Sequence, residues 1–342
     1  MPTYFELQTG SVMSRLDTTA DLLQLVHQEI GAELVRTEEI FDEELASTNP
    51  FVGDIIAHTR RFRGKRLRPI LLLLTAKACG NISDAHPILA AVVEMIHTAT
   101  LVHDDVLDMA DVRRHVATVN VRWNNETSVL FGDYLFTHAF HLAASIGTAD
   151  ACRIIGRATN RVCEGELSQV RHRGDLDLTE EAYFDMIDGK TAELCAVACL
   201  LGAKYADSSS TVVDALREYG RELGLAFQIA DDVLDIMGTE DAIGKTLGTD
   251  LDQQKLTLPV IRLLSNLPSE EANELRRQIR DEGSNAGPEI IRLCQEKGIL
   301  EETASTAQEI ANRAANRLSI LPESSARRLL ELLPGLAINR VC

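Results

Sequence analysis

Two aspartate-rich pentads are the residues of this chain best suited to chemistry. One is Asp104-Asp105-Val106-Leu107-Asp108, the other Asp231-Asp232-Val233-Leu234-Asp235. Each follows an apolar stretch of helical pattern, Leu101-Val102-His103 and Phe227-Gln228-Ile229-Ala230. On a helix, residues four apart share a face, so Asp104 lies above Asp108 and Asp231 above Asp235. Like charges at that spacing repel. Hard cations such as Mg²⁺ take clustered carboxylate oxygens and share their sites with substrate phosphates. Two such helices facing each other would grip a diphosphate through metal ions. A single copy would read equally well as a solvated acidic face. Two copies with the same letters, each flanked by residues that belong in a core, argue against that.

Other segments carry complementary charge. Arg60 to Arg68 holds six cations in nine residues of a chain whose net charge is −18. A nucleic-acid patch would look similar. Pro69 and an apolar helix follow at once, however, which favours an anion site held against the core. Arg113-Arg114 stands just past the first pentad, either to meet helix carbonyls or as phosphate clamps. His97 lies seven residues before Asp104, on nearly the same face; it reads either as a satisfied core group or as part of the site. Gly189-Lys190-Thr191 interrupts a helical run. A glycine there costs about 1 kcal/mol relative to alanine, so a kink or a close ligand approach is expected, with Lys190 and Thr191 facing the cavity. Gly244 to Leu251 lacks the Walker spacing, which excludes an ATP loop. A lid over 238–255 carrying Lys245 and Lys255 onto a diphosphate fits better.

These groups need helices to position them. Apolar residues recur at helical spacing over Leu22 to Leu34, Ile70 to Cys79, Pro87 to Leu107, Thr127 to Ile146, Ala151 to Gln169, Glu181 to Leu201 and Thr211 to Ile236, and again from Leu258 to the end. No credible hairpin series appears. Aromatics are only 4% of the 342 residues, which also favours an all-α chain. No low-complexity linker divides it, so a single domain over 1–342 is expected, with 1–20 a flexible N-terminus. The acidic balance argues against nucleic acid as a partner. The seven cysteines form no C-x-x-C and fall mostly in apolar runs; Cys195 and Cys199, one turn apart, read as packing groups rather than metal ligands. With no apolar signal core, and with apolar runs such as Ile70 to Leu74 too short to span a bilayer, a cytoplasmic protein without a transmembrane segment is expected.

The ordered pieces G-K-R-L-R-P (64–69), H-T-A-T-L-V-H-D-D-V-L-D (97–108), R-R (113–114), F-G-D-Y-L (131–135), E-G-E-L-S-Q (164–169), G-K-T-A-E-L (189–194), F-Q-I-A-D-D-V-L-D (227–235), G-K-T-L-G-T-D-L (244–251) and K-L-T-L-P-V-I (255–261) resemble the trans-isoprenyl diphosphate synthases, the polyprenyl synthetase family, over about residues 20 to 340. Three positions depart from the family pattern. Arg63 replaces a second glycine, His115 follows R-R where glycine and then proline are usual, with Ala117 at the proline position, and Gln254 stands where a glycine precedes the last lysine.

The resemblance implies a helical bundle around a deep central cavity, in a homodimer. Asp104, Asp108 and Asp231 would bind Mg²⁺, with Asp105 and Asp235 in support and Asp235 acting through water. Three ions per site are expected, with Mn²⁺ able to substitute. Asp232, Lys190 and Lys245 complete the catalytic set. Arg113, Lys190, Thr191, Gln228, Lys245 and Lys255 would hold an allylic diphosphate; Lys65, Arg68, His97 and Arg114 would hold isopentenyl diphosphate. Ionisation of the allylic carbon, attack by the isopentenyl double bond and proton loss would lengthen the chain. Peripheral membrane association would help release the product.

Product length should depend on residues below the first pentad, where bulky side chains stop growth in this family. Ala99 lies about 7.5 Å and Met95 about 13.5 Å below Asp104 along the helix. Ala99 and Thr100 are small, which implies an open shaft and a hexaprenyl to decaprenyl product, with Leu135 or Phe136 as its floor. The alternative is a short-chain geranylgeranyl diphosphate synthase. A terpene cyclase would not need the basic segment, and a regulatory subunit would not keep both pentads intact.

Overall fold

The computed structural model describes residues 19–62, 64–237 and 253–338. Helices in chain order are α1 (Thr19–Glu44), α2 (Pro50–Thr59), α3 (Leu67–Ala78), α4 (Ala85–Leu107), α5 (Val119–Arg122), α6 (Asn125–Ala144), α7 (Ala149–Arg171) and α8 (Glu180–Ile187). A π-helical segment, Asp188–Ala192, leads into α9 (Glu193–Lys204) and α10 (Ser210–Met237). The C-terminal part holds α11 (Leu258–Asn266), α12 (Ser269–Glu282), α13 (Gly287–Glu296), α14 (Ile299–Arg317) and α15 (Ser325–Ile338). The chain is all-α, as its periodicity requires.

Local signals set several boundaries. Asn49 caps α2, accepting from Phe51 N, with Pro50 in the first turn. The apolar period alone does not announce this helix; the Asn-Pro start does. Asn124 accepts from Thr127 N at 2.7 Å to start α6, and Thr179 from Ala182 N at 3.2 Å to start α8.

Two apolar cores form. One gathers α1, α3, α4, α6 and α9; the other gathers α8 and α11 to α14. The 28-residue α10 serves both. Leu216, Tyr219 and Leu223 enter the first core, and Ala226, Ile229 and Ile236 the second. At about 42 Å this helix is the rod on which the second pentad stands. Helix α4 is long and apolar enough to cross a membrane, but 67% of that window is buried inside the protein. It is a core helix, and it carries the first pentad at its C-terminal end.

Among the described residues one small sheet interrupts the helices. Val112–Arg113 (β1) pairs antiparallel with Val116–Ala117 (β2), Arg113 opposite Val116. The turn between them places Arg114 at φ 52° and His115 at φ 63°, as a tight hairpin of this hand requires. Gln254 likewise sits at φ 55°. Two of the positions where the family pattern calls for glycine are therefore left-handed here, which is the backbone glycine favours. A His115→Gly variant is expected to gain about 0.5–1 kcal/mol of stability. Urea unfolding checks this, and a loss would mean that the imidazole makes a compensating contact.

Candidate active site

The two pentads divide their aspartates in the same way. At the end of α4, Asp104 and Asp108 keep partial exposure, while Asp105, about 100° around the helix, is 1% exposed. Asp105 turns inward and accepts from Arg113 Nε at 2.8 Å and Nη2 at 2.7 Å. It thereby ties the hairpin to α4. At the end of α10, Asp231 and Asp235 are half-buried and Asp232 is buried. Asp232 accepts from Tyr183 Oη at 2.5 Å and from Gln228 Nε2 at 2.8 Å. The second aspartate of each pentad thus holds structure, and the first and fifth keep partial exposure.

The π segment bridges the pentads. Lys190 Nζ lies 3.8 Å from Asp104 and 2.8 Å from Glu166, and donates to Gln169 at 2.8 Å. Its neighbour Thr191 donates to Gln228 at 2.8 Å, and Gln228 reaches Asp232. Glycines make this approach close. A Cβ on Gly165 of α7 would collide with Lys190 N, and one on Gly224 of α10 would lie 2.6 Å from Ala192 Cα. Gly189 itself packs on Arg161 O. The kink expected at Gly189 is therefore a wide helical turn, and the close approach there is by α7.

Charge is unevenly balanced. Asp104 and Glu166 both face the Lys190 ammonium, and Arg113 and Lys255 also attract Asp104. Burial, and then the mutual repulsion of these carboxylates and Asp108, raises the pKa of Glu166 and of Asp104, and Lys190 only partly offsets this. Burial disfavours the Lys190 cation, but Asp104 and Glu166 outweigh it and raise its pKa. Asp108 is held by Lys255 at 2.8 Å and Arg173 at 3.0 Å, and its carbonyl accepts from Gln253 at 3.1 Å. Among the described residues no group of three His, Cys, Asp or Glu is gathered tightly enough to hold a metal by itself. The half-buried carboxylates of Asp104 and Glu166 nonetheless fit a hard cation.

On the other side of α4 lies a basic cavity. Arg66, His97, Arg113 and Arg114 line it, with Leu101, Val102 and Leu135 on its apolar side. Arg66 is paired to Glu38 and Glu94 and Arg113 to Asp105. Arg114 donates to Phe62 O and lies over Gly64, where a Cβ would collide with its guanidinium. The Nε of Arg68 is buried without a hydrogen-bond partner. Burial, then Arg68, Arg113, Arg114 and Arg66, hold the His97 imidazole well below its ordinary pKa, so it is neutral near pH 7. Burial and Arg113 also lower the pKa of Arg114. An anion bound here would relieve this crowding of cations. Lys65 is exposed.

Ala99 and Met95 have no accessible surface, Thr100 donates to His97 O at 2.8 Å, Leu135 is buried, and Phe136 packs on His103 at 5.9 Å. A chain passing Ala99 must displace side chains packed on α4. Lys245, Arg63 and most of the expected lid (238–252) lie outside the described residues. Sequence reasoning gave no role to Glu166, Gln169, Arg173 or Tyr183. Glu166 and Gln169 stand within the recognised E-G-E-L-S-Q piece, and their spacing of three was the available signal. Arg173 and Tyr183 carried none.

The sequence profile of the polyprenyl synthetase family matches residues 49–295. The all-trans-nonaprenyl-diphosphate synthase (geranyl-diphosphate specific) of Rhodobacter capsulatus is 37% identical over 327 residues, covering 95% of this chain and 99% of that protein. The crystal structure of a decaprenyl diphosphate synthase from Rhodobacter capsulatus superposes with a TM-score of 0.89 at 34% identity, covering 94% of this chain and 99% of that one. A polyprenyl synthase from Caulobacter crescentus, complexed with calcium and isoprenyl diphosphate, gives 0.88 at 34% identity, covering 94% and 98%. With its paired aspartate helices, and with similarity along nearly its whole length, the chain belongs to the polyprenyl synthetase family of trans-isoprenyl diphosphate synthases.

Proposed function

We propose that the enzyme condenses isopentenyl diphosphate with an allylic diphosphate, such as farnesyl or geranylgeranyl diphosphate, and repeats the step to a hexaprenyl to decaprenyl product. The observation that carries this reading is the link from Asp104 through Lys190 and Thr191 to Gln228 and Asp232. It draws two carboxylate helices together, with a basic cavity across α4. One anion site can then hold the leaving diphosphate and the other the attacking substrate.

Asp104, Asp108, Asp231 and Asp235 would hold Mg²⁺, three ions with the substrate bound and Mn²⁺ as substitute. Bound Mg²⁺ supplies Lewis-acid stabilisation of the diphosphate as its charge builds. Lys190, Thr191, Gln228, Lys255, Arg113 and Lys245 orient the allylic diphosphate and stabilise the same charge. Lys65, Arg68, Arg114 and neutral His97 fix isopentenyl diphosphate so that its double bond meets the allylic carbon. The C–O bond breaks with its electrons leaving on diphosphate, the double bond forms the new C–C bond, and the released diphosphate takes the proton. No side-chain nucleophile is needed. The chain works as one domain, in a cytoplasmic homodimer that associates peripherally with membranes to release product.

The test is incubation of the purified protein with Mg²⁺, labelled isopentenyl diphosphate and farnesyl diphosphate, with products sized after dephosphorylation. One long polyprenol is expected. A geranylgeranyl product would establish the short-chain alternative, and absence of incorporation with either farnesyl or geranyl primer would overturn the reading.

A further inference from the structure

We infer that Arg221 is a positioning residue: one guanidinium closes across the π segment and holds Lys190 and Thr191 toward the carboxylate site. Arg221 Nε lies 3.0 Å from Asp188 Oδ1, and its Nη2 lies 3.3 Å from Glu193 Oε2. Asp188 opens the π segment, and Glu193 is the first residue after it. The staple therefore spans the wide turn from one end to the other. π-Helical turns are rare and concentrate at functional sites, so a hold from outside the turn has a purpose here. Glu193 is 4% exposed and would be an uncompensated buried charge without its arginines.

A single face of α10 handles the whole segment. Arg221, Gly224 and Gln228 follow at steps of three and four. Arg221 pairs with both ends, by charge alone at Asp188 and with a hydrogen bond at Glu193, Gly224 admits Ala192, and Gln228 accepts from Thr191. The second pentad continues the same helix. The outer partners are Arg161 of α7, paired with Asp188 and Asp185, and Arg217, paired with Glu193. These leave each carboxylate with one cation when Arg221 is removed, so a variant at 221 isolates the staple. The proposed mechanism gives no role to Arg221, Asp188, Glu193, Arg161 or Arg217. The inference rests on the proposed role of Lys190 and Thr191 as ligands of the allylic diphosphate.

The experiment uses the full chain with Arg221→Met. With farnesyl diphosphate as probe, its KM is expected to rise about tenfold, while the KM for isopentenyl diphosphate moves by less than about twofold. In a Lys190→Met/Thr191→Val background the same substitution is expected to add less than about twofold, because it acts through the residues already removed. Hydrogen exchange of the amides over 188–193 is expected to quicken. Equal rises in both KM values, full additivity in that background, or unchanged exchange would each overturn the inference. Should Arg221→Met not fold, Arg221→Lys, which reaches one carboxylate but not both, is expected to give a smaller rise in the same KM; a rise in both would count against the staple. A wild-type protein that condenses nothing overturns the proposed reaction instead, and the exchange measurement still decides whether Arg221 holds the segment.

Discussion

An Asp104→Asn variant is expected to lose at least about a hundredfold in turnover while its metal-free form melts no lower than the wild type. The first half follows from chemistry. An amide cannot offer the anionic oxygen that a hard cation takes, and the Lys190 bridge to α4 loses its charge partner. The second half follows from the electrostatics of the ligand-free site. Burial and Asp108 raise the Asp104 pKa in spite of Lys190. A carboxyl whose folded pKa lies above its unfolded value stabilises the fold below the unfolded value, and that stability is lost as pH rises through the folded value. At neutral pH the ionised group is thus a net cost, which the amide removes. Lys190 keeps Glu166 and Gln169 in the variant. Single-turnover kinetics and thermal melts, with and without Mg²⁺ and diphosphate, check both halves. Retention of a tenth of the activity would remove Asp104 from the proposed metal set. A clear fall in the metal-free melting point would show that the ionised carboxylate stabilises the fold.

An Ala99→Phe variant is expected to shift the main product from a long polyprenyl to geranylgeranyl diphosphate or shorter. Ala99 lies about 7.5 Å below Asp104 along α4, buried in the first core. A growing chain reaching this level must move its neighbours, and a phenyl ring closes the way. Because Ala99 has no accessible surface, the larger ring also overpacks the core, at a cost of about 1–3 kcal/mol. Product sizing is therefore paired with a melt. A folded, active variant with unchanged product length would sink the shaft reading. Leu135→Ala, which removes bulk from the apolar side of the basic cavity, tests the proposed floor in the opposite direction, toward longer product.

Much of this molecule was legible in its sequence because helices write their period into local composition. The runs from Pro87 to Leu107 and Thr211 to Ile236 map onto α4 and α10 within two residues. The pentads at their ends needed no tertiary information, since residues four apart share a face on any helix. Positions 115 and 254, where the family pattern has glycine, were legible only as loop departures; that their backbone is left-handed with His and Gln in place came from the structure. Other features required the folded chain. Residue spacing could not reveal that Asp105 and Asp232 turn inward to Arg113 and Tyr183, because their partners come from other elements. Nor could it show that the interruption at Gly189 is a π turn between Gly165 and Gly224, or that Arg173 meets Asp108. By itself the sequence determined which elements form and which charges they carry, since both follow from neighbours along the chain. Only the tertiary structure decided which partner the carboxylates of Asp105, Asp108 and Asp232 meet, because burial and pairing between distant segments set the electrostatic cost of each charge.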